Sequence, residues 1–336
     1  MGSGSFDDSK YRSSIRGRSA FAYSDDVMSK PVDEQKCHQL LDPFGLIIRE
    51  SRDTEEHPES NAIMVGLDVT GSMGRVVVAI QNDLGDLMDI LLKEKYVSDP
   101  QLLFYAVGDA TCDSIPFQVS QFESDNRIND QLTKVVLEGG GGGQKTESYE
   151  LGIYCAARHT EIDCFEKRGQ KGYLISIGDE MPYPKVKRKE VKKIFDASLE
   201  EDIAFQTIIK EAQKKYHTFH ILPKGSNHYN DPEVRGAWTR ALGGEQFVFM
   251  LEDPTAAAAT IALAIGLNEG RITLEEGLAT LANRYDQKKV KAVSLALEEF
   301  AKSLDRFEGK TTPPKNDGKS GAKTNSINKR KKTGRF

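Results

Sequence analysis

Five short apolar runs, each followed by a stretch with helical spacing, constrain this chain more than any other feature. They are Asn61 to Leu67 (NAIMVGL), Leu102 to Val107 (LLFYAV), Tyr173 to Ile177 (YLISI), His217 to Leu222 and Gln246 to Leu251. Runs of this length suit strands buried on both faces. Between them, Val77, Ile80, Leu84, Leu87 and Leu91 step by three and four, which predicts one amphipathic helix over 76–93. Helices are also expected over 128–137, 146–158 and 201–215, with one from Asp231-Pro232 toward Leu242 and another opened by Asp253-Pro254. Phe117 to Val119 reads as a short hairpin partner. Such alternation predicts an α/β fold, a doubly wound, Rossmann-like, mostly parallel sheet. Sites in such sheets form at the carboxyl ends of strands, which selects Asp68, Asp109 and Asp179.

Outside the alternating region the composition changes. Residues 1–36 are polar and read as a flexible N-terminal arm. Residues 37–268 form the sheet domain. Its N-terminal extension carries Leu40, Leu41, Phe44, Leu46, Ile47 and Ile48 to pack on the body, and a charged linker follows over 51–60. Leu274, Leu278, Leu281 and Tyr285 form one helical stripe, and Val290, Val293, Leu297, Phe300 and Leu304 another. They predict a C-terminal helical hairpin over 269–308, packed on the sheet domain or binding a partner. Residues 309–336 read as a disordered basic tail. From Lys310 onward nine Lys and Arg stand against one Asp, so the net charge of −5 conceals an acidic body. The cluster Lys329-Arg330-Lys331-Lys332 suits a polyanion, or serves only as a solubilising tail.

No run reaches the ~18 apolar residues of a membrane span; the longest, Ala256 to Leu267, is interrupted by Thr260. Met1 to Arg18 holds no apolar segment of the secretory kind. The four cysteines, Cys37, Cys112, Cys155 and Cys164, match no zinc or disulfide spacing. Together these features lead to the expectation of a cytoplasmic protein with no membrane partner.

The stretch Gly66-Leu67-Asp68-Val69-Thr70-Gly71-Ser72-Met73 carries the chemistry. A buried strand delivers a carboxylate, then two hydroxyls at alternate positions, then a helix start. Carboxylate and hydroxyl oxygens are hard ligands, suited to Mg²⁺ rather than Zn²⁺. The same residues also fit a plain capped turn, with Asp68 capping and Thr70 and Ser72 bonding the helix backbone. Asp109 and Asp113, in Gly108-Asp109-Ala110-Thr111-Cys112-Asp113, lie beside the cluster or close a turn of their own. The run GGGGGQKT over 139–146 resembles a phosphate-binding loop, but Gln144 stands where that pattern needs Gly before Lys145. Its glycines suit close backbone approach instead.

Asp68, Thr70 and Ser72 resemble the metal-ion-dependent adhesion site, D-x-S-x-S, of von Willebrand factor A domains, with Thr70 in the first hydroxyl place. Thr146, after the glycine run, matches the family's later Thr; Asp179, after YLISIG, matches its Asp beyond the fourth strand, with Gly-Asp standing for the family's Asp-Gly. The resemblance covers about 61–268. It implies a metal site of Asp68, Thr70, Ser72, Thr146 and Asp179 holding Mg²⁺ (or Mn²⁺), with a partner protein's Asp or Glu completing the shell. It further implies a binding module rather than an enzyme, an adaptor or scaffold of the kind intracellular members form in larger assemblies. No His-x₃-His or HExxH occurs, and the site elements have no His beside them in the chain, which agrees with a non-catalytic role. Two other functions are left open. One is a metal-dependent phosphoester hydrolase or phosphotransfer enzyme, with Asp109, Asp113 and Glu180 as further carboxylates. The other is a nucleic-acid-associated protein bound through its basic tail.

Overall fold

Six strands form the central sheet of the computed structural model, which describes residues 5–7, 9–10, 22–74, 76–140 and 143–308. They are β1 (Asn61–Asp68), β2 (Pro100–Val107), β3 (Phe117–Val119), β4 (Gly172–Ile177), β5 (Tyr216–Pro223) and β6 (Val248–Leu251). Their order across the sheet is β6-β5-β4-β1-β2-β3. All neighbours are parallel except β2 and β3, which pair antiparallel. This is the doubly wound, Rossmann-like order, and it reverses direction between β1 and β4.

Period-two alternation along β1 sorts side chains to two cores. Ile63, Val65 and Leu67 enter one; Ala62 and Met64 enter the other. The first core lies under α2 (Val76–Leu84), α3 (Leu87–Glu94) and α9 (Ala257–Asn268). The second lies under α5 (Tyr149–Arg158), α6 (Arg188–Phe195), α7 (Phe205–Lys215) and α8 (Pro232–Leu242). Helix α8 starts and stops as its sequence requires. The Asp231 side chain accepts the Glu233 N–H, Pro232 takes the first helical position, and Gly243 closes it at φ 87°.

The expected helix over 76–93 is two helices. Gly85 weakens the helical interior and Asp86 starts the second segment, so α2 ends at Leu84 and α3 begins at Leu87. Similarly, α4 covers only Arg127–Leu132 within the expected 128–137. Within the N-terminal arm, Ala22–Met28 forms a helix, α1, with Ser24 and Val27 buried. Val27 packs with Ile115 and Val136, and the Ser24 hydroxyl accepts the Leu137 N–H. In the extension Leu41 and Leu46 are buried, while Leu40, Phe44 and Ile47 are exposed.

The C-terminal hairpin, α10 (Leu274–Ala282) and α11 (Gln287–Glu308), is part of the first core. Leu281, Val293, Leu297 and Phe300 are buried there, and Phe300 meets Phe219 edge-on with ring centroids 5.2 Å apart. Three ion pairs fasten it to the body: Lys289 to Asp83 at 2.6 Å, Arg284 to Asp89 at 2.5 Å and Lys288 to Asp253 at 2.7 Å. Helix α10 opens with a capping box between Thr273 and Glu276. The basic tail over 309–336 lies outside the described residues. Among the described residues no helix is long and apolar enough to cross a membrane.

Candidate metal site

The strand order reverses between β1 and β4, and in sheets of this kind sites form at the carboxyl ends of the strands at that point. Asp68 is the last residue of β1 and Asp179 follows β4 by two residues. Asp68 Oδ1 accepts both the Thr70 N–H (2.9 Å) and the Thr70 hydroxyl (2.5 Å). The Thr70 and Ser72 hydroxyl oxygens are 3.1 Å apart, and Ser72 donates to Asp179 Oδ1 at 2.8 Å. Asp179 Oδ2 accepts the backbone N–H of His228 at 2.8 Å. Four side chains from two strand ends thus form one continuous chain of oxygens. Asp68, Thr70 and Asp179 are buried, and Ser72 is half-buried.

Glycine at position 71 makes this turn possible. The Gly71 N–H donates to the Gly140 carbonyl (2.6 Å), and the Gly139 N–H donates back to the Val69 carbonyl (3.0 Å). A Cβ on residue 71 would stand 2.9 Å from the carbonyl oxygens of both Gly139 and Gly140. The start of the glycine run therefore lies directly on the cluster turn. Lys145, expected in a phosphate-binding loop to meet a nucleotide, pairs instead with Asp231 at 2.6 Å.

Thr146 enters through a different strand pair. It belongs to a two-residue strand, Thr146–Glu147, paired with Met181–Pro182 rather than to the start of α5. Its hydroxyl meets that of Tyr183. Asp109 forms its own turn: its Oδ1 accepts the Thr111 N–H (2.8 Å) and hydroxyl (2.7 Å), while Gln144 Nε2 donates to Oδ2 at 2.7 Å. Asp113 accepts the Asp109 N–H at 2.7 Å.

Several neighbours of the cluster are not apparent from the linear motif. The Tyr149 hydroxyl donates to Asp68 Oδ2 at 2.5 Å. Glu147 and Glu180 share a side-chain hydrogen bond, and each retains one buried carboxyl oxygen with no partner. His228, a loop residue distant in sequence, brings its ring Nε2 to 3.6 Å from Glu180 Oε1. A histidine therefore does stand at the site, contrary to the linear reading. The only sequence signal for Tyr149 is its position three residues beyond Thr146, and for His228 there is none.

The electrostatics are those of an unbalanced acidic pocket. Burial raises the Asp68 carboxyl from the usual 3.8 to about 6 against the pull of its Thr70 and Tyr149 donors, and Asp179 adds to the rise. Burial, then the mutual hydrogen bond and nearby carboxylates, raise Glu147; Glu180 is raised by burial and the neighbouring Asp68 and Asp179. Among the described residues no Lys or Arg pairs with Asp68, Asp179, Glu147 or Glu180. Two carboxylates and two hydroxyls linked in series by hydrogen-bond distances, with no Lys or Arg paired to them among the described residues, fit a hard divalent ion such as Mg²⁺ or Mn²⁺. The hydroxyls are essential to that donor set, because no group of three or more His, Cys, Asp or Glu side chains able to hold a metal occurs among the described residues.

No family model matches the chain. No curated protein matches it either. Solved structures do. The pilus adhesin SpaC from Lactobacillus rhamnosus GG is 10% identical with a TM-score of 0.45, covering 66% of this chain and 31% of the adhesin. The chain thus spans about a third of that protein's length. The vWF domain of the type V pili tip protein Mfa5 from Porphyromonas gingivalis is 12% identical with a TM-score of 0.41, covering 62% and 95%. An aerotolerance-related membrane protein from Bacteroides fragilis is 13% identical with a TM-score of 0.36, covering 63% and 100%. The fold class rests on the strand order itself. The expectation of a cytoplasmic location is corrected by this finding, since these neighbours are a pilus adhesin, a pilus tip protein and a membrane protein. All four cysteines are unpaired, which does not fix the compartment.

Proposed function

We propose that this chain is a protein-interaction module whose binding edge is organised by a divalent cation, Mg²⁺ or Mn²⁺. One observation carries the reading: the hydrogen-bonded oxygens of Asp68, Thr70, Ser72 and Asp179 converge at the strand-order reversal, with no Lys or Arg among the described residues to neutralise them. Thr70 and Ser72 would supply hydroxyl ligands. Asp68 and Asp179 would ligate directly or hold the hydroxyls in place. Thr146, on the neighbouring strand pair, would join through its hydroxyl. The ion supplies positive charge at the edge, where a partner protein's Asp or Glu is the expected ligand. The tail over 310–336 would add affinity for a polyanion, weakening steeply with salt. The role is binding, not turnover.

Calorimetric titration of Mg²⁺ and Mn²⁺ tests the reading. About one ion per chain is expected, with binding lost in Asp68→Ala and weakened in Thr146→Ala. No ion binding by the folded wild-type chain sinks it. Unchanged binding in Thr146→Ala removes that residue from the ligand set.

A further inference from the structure

The Tyr149 hydroxyl reaches Asp68 Oδ2 at 2.5 Å inside the protein, where both side chains are almost fully buried. The approach depends on residue 178. A Cβ there would overlap the Tyr149 hydroxyl and stand 2.7 Å from Asp68 Cβ and 2.8 Å from Asp68 Oδ2. This accounts for the Gly-Asp order after β4: the glycine opens the space through which tyrosine meets carboxylate, and Asp179 follows at once.

Tyr149 is itself held in place. Its ring meets Trp238 edge-on with centroids 5.2 Å apart, and His220 edge-on at 5.8 Å. His220 stacks on Trp238 with centroids 3.7 Å apart and planes within 10°. His220 Nε2 lies 3.1 Å from the Gly178 carbonyl, which only accepts, so Nε2 carries the proton and Nδ1 accepts from the Ser176 hydroxyl at 2.9 Å. Trp238 Nε1 donates to the Glu180 carbonyl at 2.8 Å. The same aromatic bracket therefore grips both sides of Asp179 and aims the Tyr149 hydroxyl at Asp68.

We propose that Tyr149 is a positioning residue for the cation site: its hydroxyl occupies Asp68 Oδ2 and leaves Oδ1 facing Thr70, Ser72 and the ion. This rests on the cation reading above. The donor fixes the carboxylate rotamer before any ion arrives, so the ligand oxygens need no reorganisation on binding. Loss of such an outer hydrogen bond typically costs about tenfold to a hundredfold in metal affinity.

The test compares Tyr149→Phe with Tyr105→Phe by Mn²⁺ calorimetry and by thermal unfolding with and without ion. Tyr105 is a fair control because its buried hydroxyl has no hydrogen-bond partner among the described residues. Tyr149→Phe is expected to weaken Mn²⁺ about tenfold or more and to shrink the ion-induced rise in Tm, while Tyr105→Phe leaves both unchanged. A general packing defect would lower Tm without moving the ion affinity. Should Tyr149→Phe fail to fold, 3-fluorotyrosine placed at position 149, a more acidic hydroxyl donor of nearly the same shape, serves instead; a changed Mn²⁺ affinity is expected there and not for 3-fluorotyrosine at position 105, and equal, unchanged affinities overturn the proposal. Ion binding by the wild type with unchanged affinity in Tyr149→Phe overturns the positioning role alone. No ion binding by the wild type overturns the cation reading and the role with it.

Discussion

The three-residue pattern Asp-x-Thr follows β1 as Asp68-Val69-Thr70, β2 as Asp109-Ala110-Thr111 and β6 as Asp253-Pro254-Thr255, and the first and last of these turns are locally almost the same. In both, the aspartate Oδ1 accepts the N–H and the hydroxyl of the threonine: 2.9 and 2.5 Å in the first, 3.1 and 2.8 Å in the last. They differ at the other oxygen. Asp253 Oδ2 pairs with Lys288 at 2.7 Å, whereas among the described residues Asp68 Oδ2 meets the neutral Tyr149 hydroxyl and no Lys or Arg. Asp253 is a helix cap with its charge neutralised. Asp68 makes the same pair of bonds from the end of a strand, ahead of a turn capped by Thr70, and no Lys or Arg pairs with it among the described residues. The turn motif fixes local geometry in both, and the supply of counter-charge decides which of them is a candidate ion seat.

Substituting each aspartate separates the two turns most sharply. Asp68→Asn is expected to weaken Mn²⁺ by more than about a hundredfold, whereas Asp253→Asn leaves the affinity unchanged; calorimetry distinguishes them. Equal affinities would erase the contrast. Next in size is the opening beside Asp68. Gly178→Ala forces a methyl into the Tyr149 hydroxyl and is expected to cost about 2 kcal/mol, read by urea unfolding. Asp253→Ala should cost about 1 kcal/mol as a lost cap, by the same measurement.

The smallest effect is a difference in sign with pH, measured without divalent ions. Asp68 is raised in the fold to about 6, above its usual 3.8. Between those values the native state holds a proton that the unfolded chain has released, so its contribution to stability falls as pH rises. Asp253 is lowered, burial being outweighed by Lys288 and Thr255, so its contribution is present above its unfolded pKa and is lost as pH falls below it. The stability of wild type relative to Asp68→Asn should therefore decline from pH 4 to pH 6. Relative to Asp253→Asn it should stay flat there and decline only on going below about pH 4. A common trend in both pairs would contradict the assignment of counter-charge.

Much of the architecture was legible in the chain because buried strands and capped helices advertise themselves locally. NAIMVGL and YLISI become adjacent strands, and Asp68 and Asp179 follow from their ends. Asp231-Pro232 and Gly243 bound α8 as expected. The failures have a different source. The helical spacing over 76–93 continues in register across Gly85, so periodicity alone hides the break. Thr146 was expected at a helix start because Ser and Glu follow it, but pairing with Met181 draws it into a strand. Tyr149 belongs to no motif in the sequence, and His228 lies in a loop. Their approach to Asp68 and Asp179 depends on contacts across 81 and 49 residues of chain, which no local pattern encodes.

The separation of Ser72 from Asp179 by 107 positions has a kinetic meaning. The two oxygens meet only after β1 and β4 have paired, a non-local event that must await closure of a long loop. A ligand spanning them finds no site in the unfolded chain and little in a half-formed sheet. Its grip would be felt on the way out of the native state, lengthening the lifetime of the folded protein while leaving the speed of its formation nearly untouched.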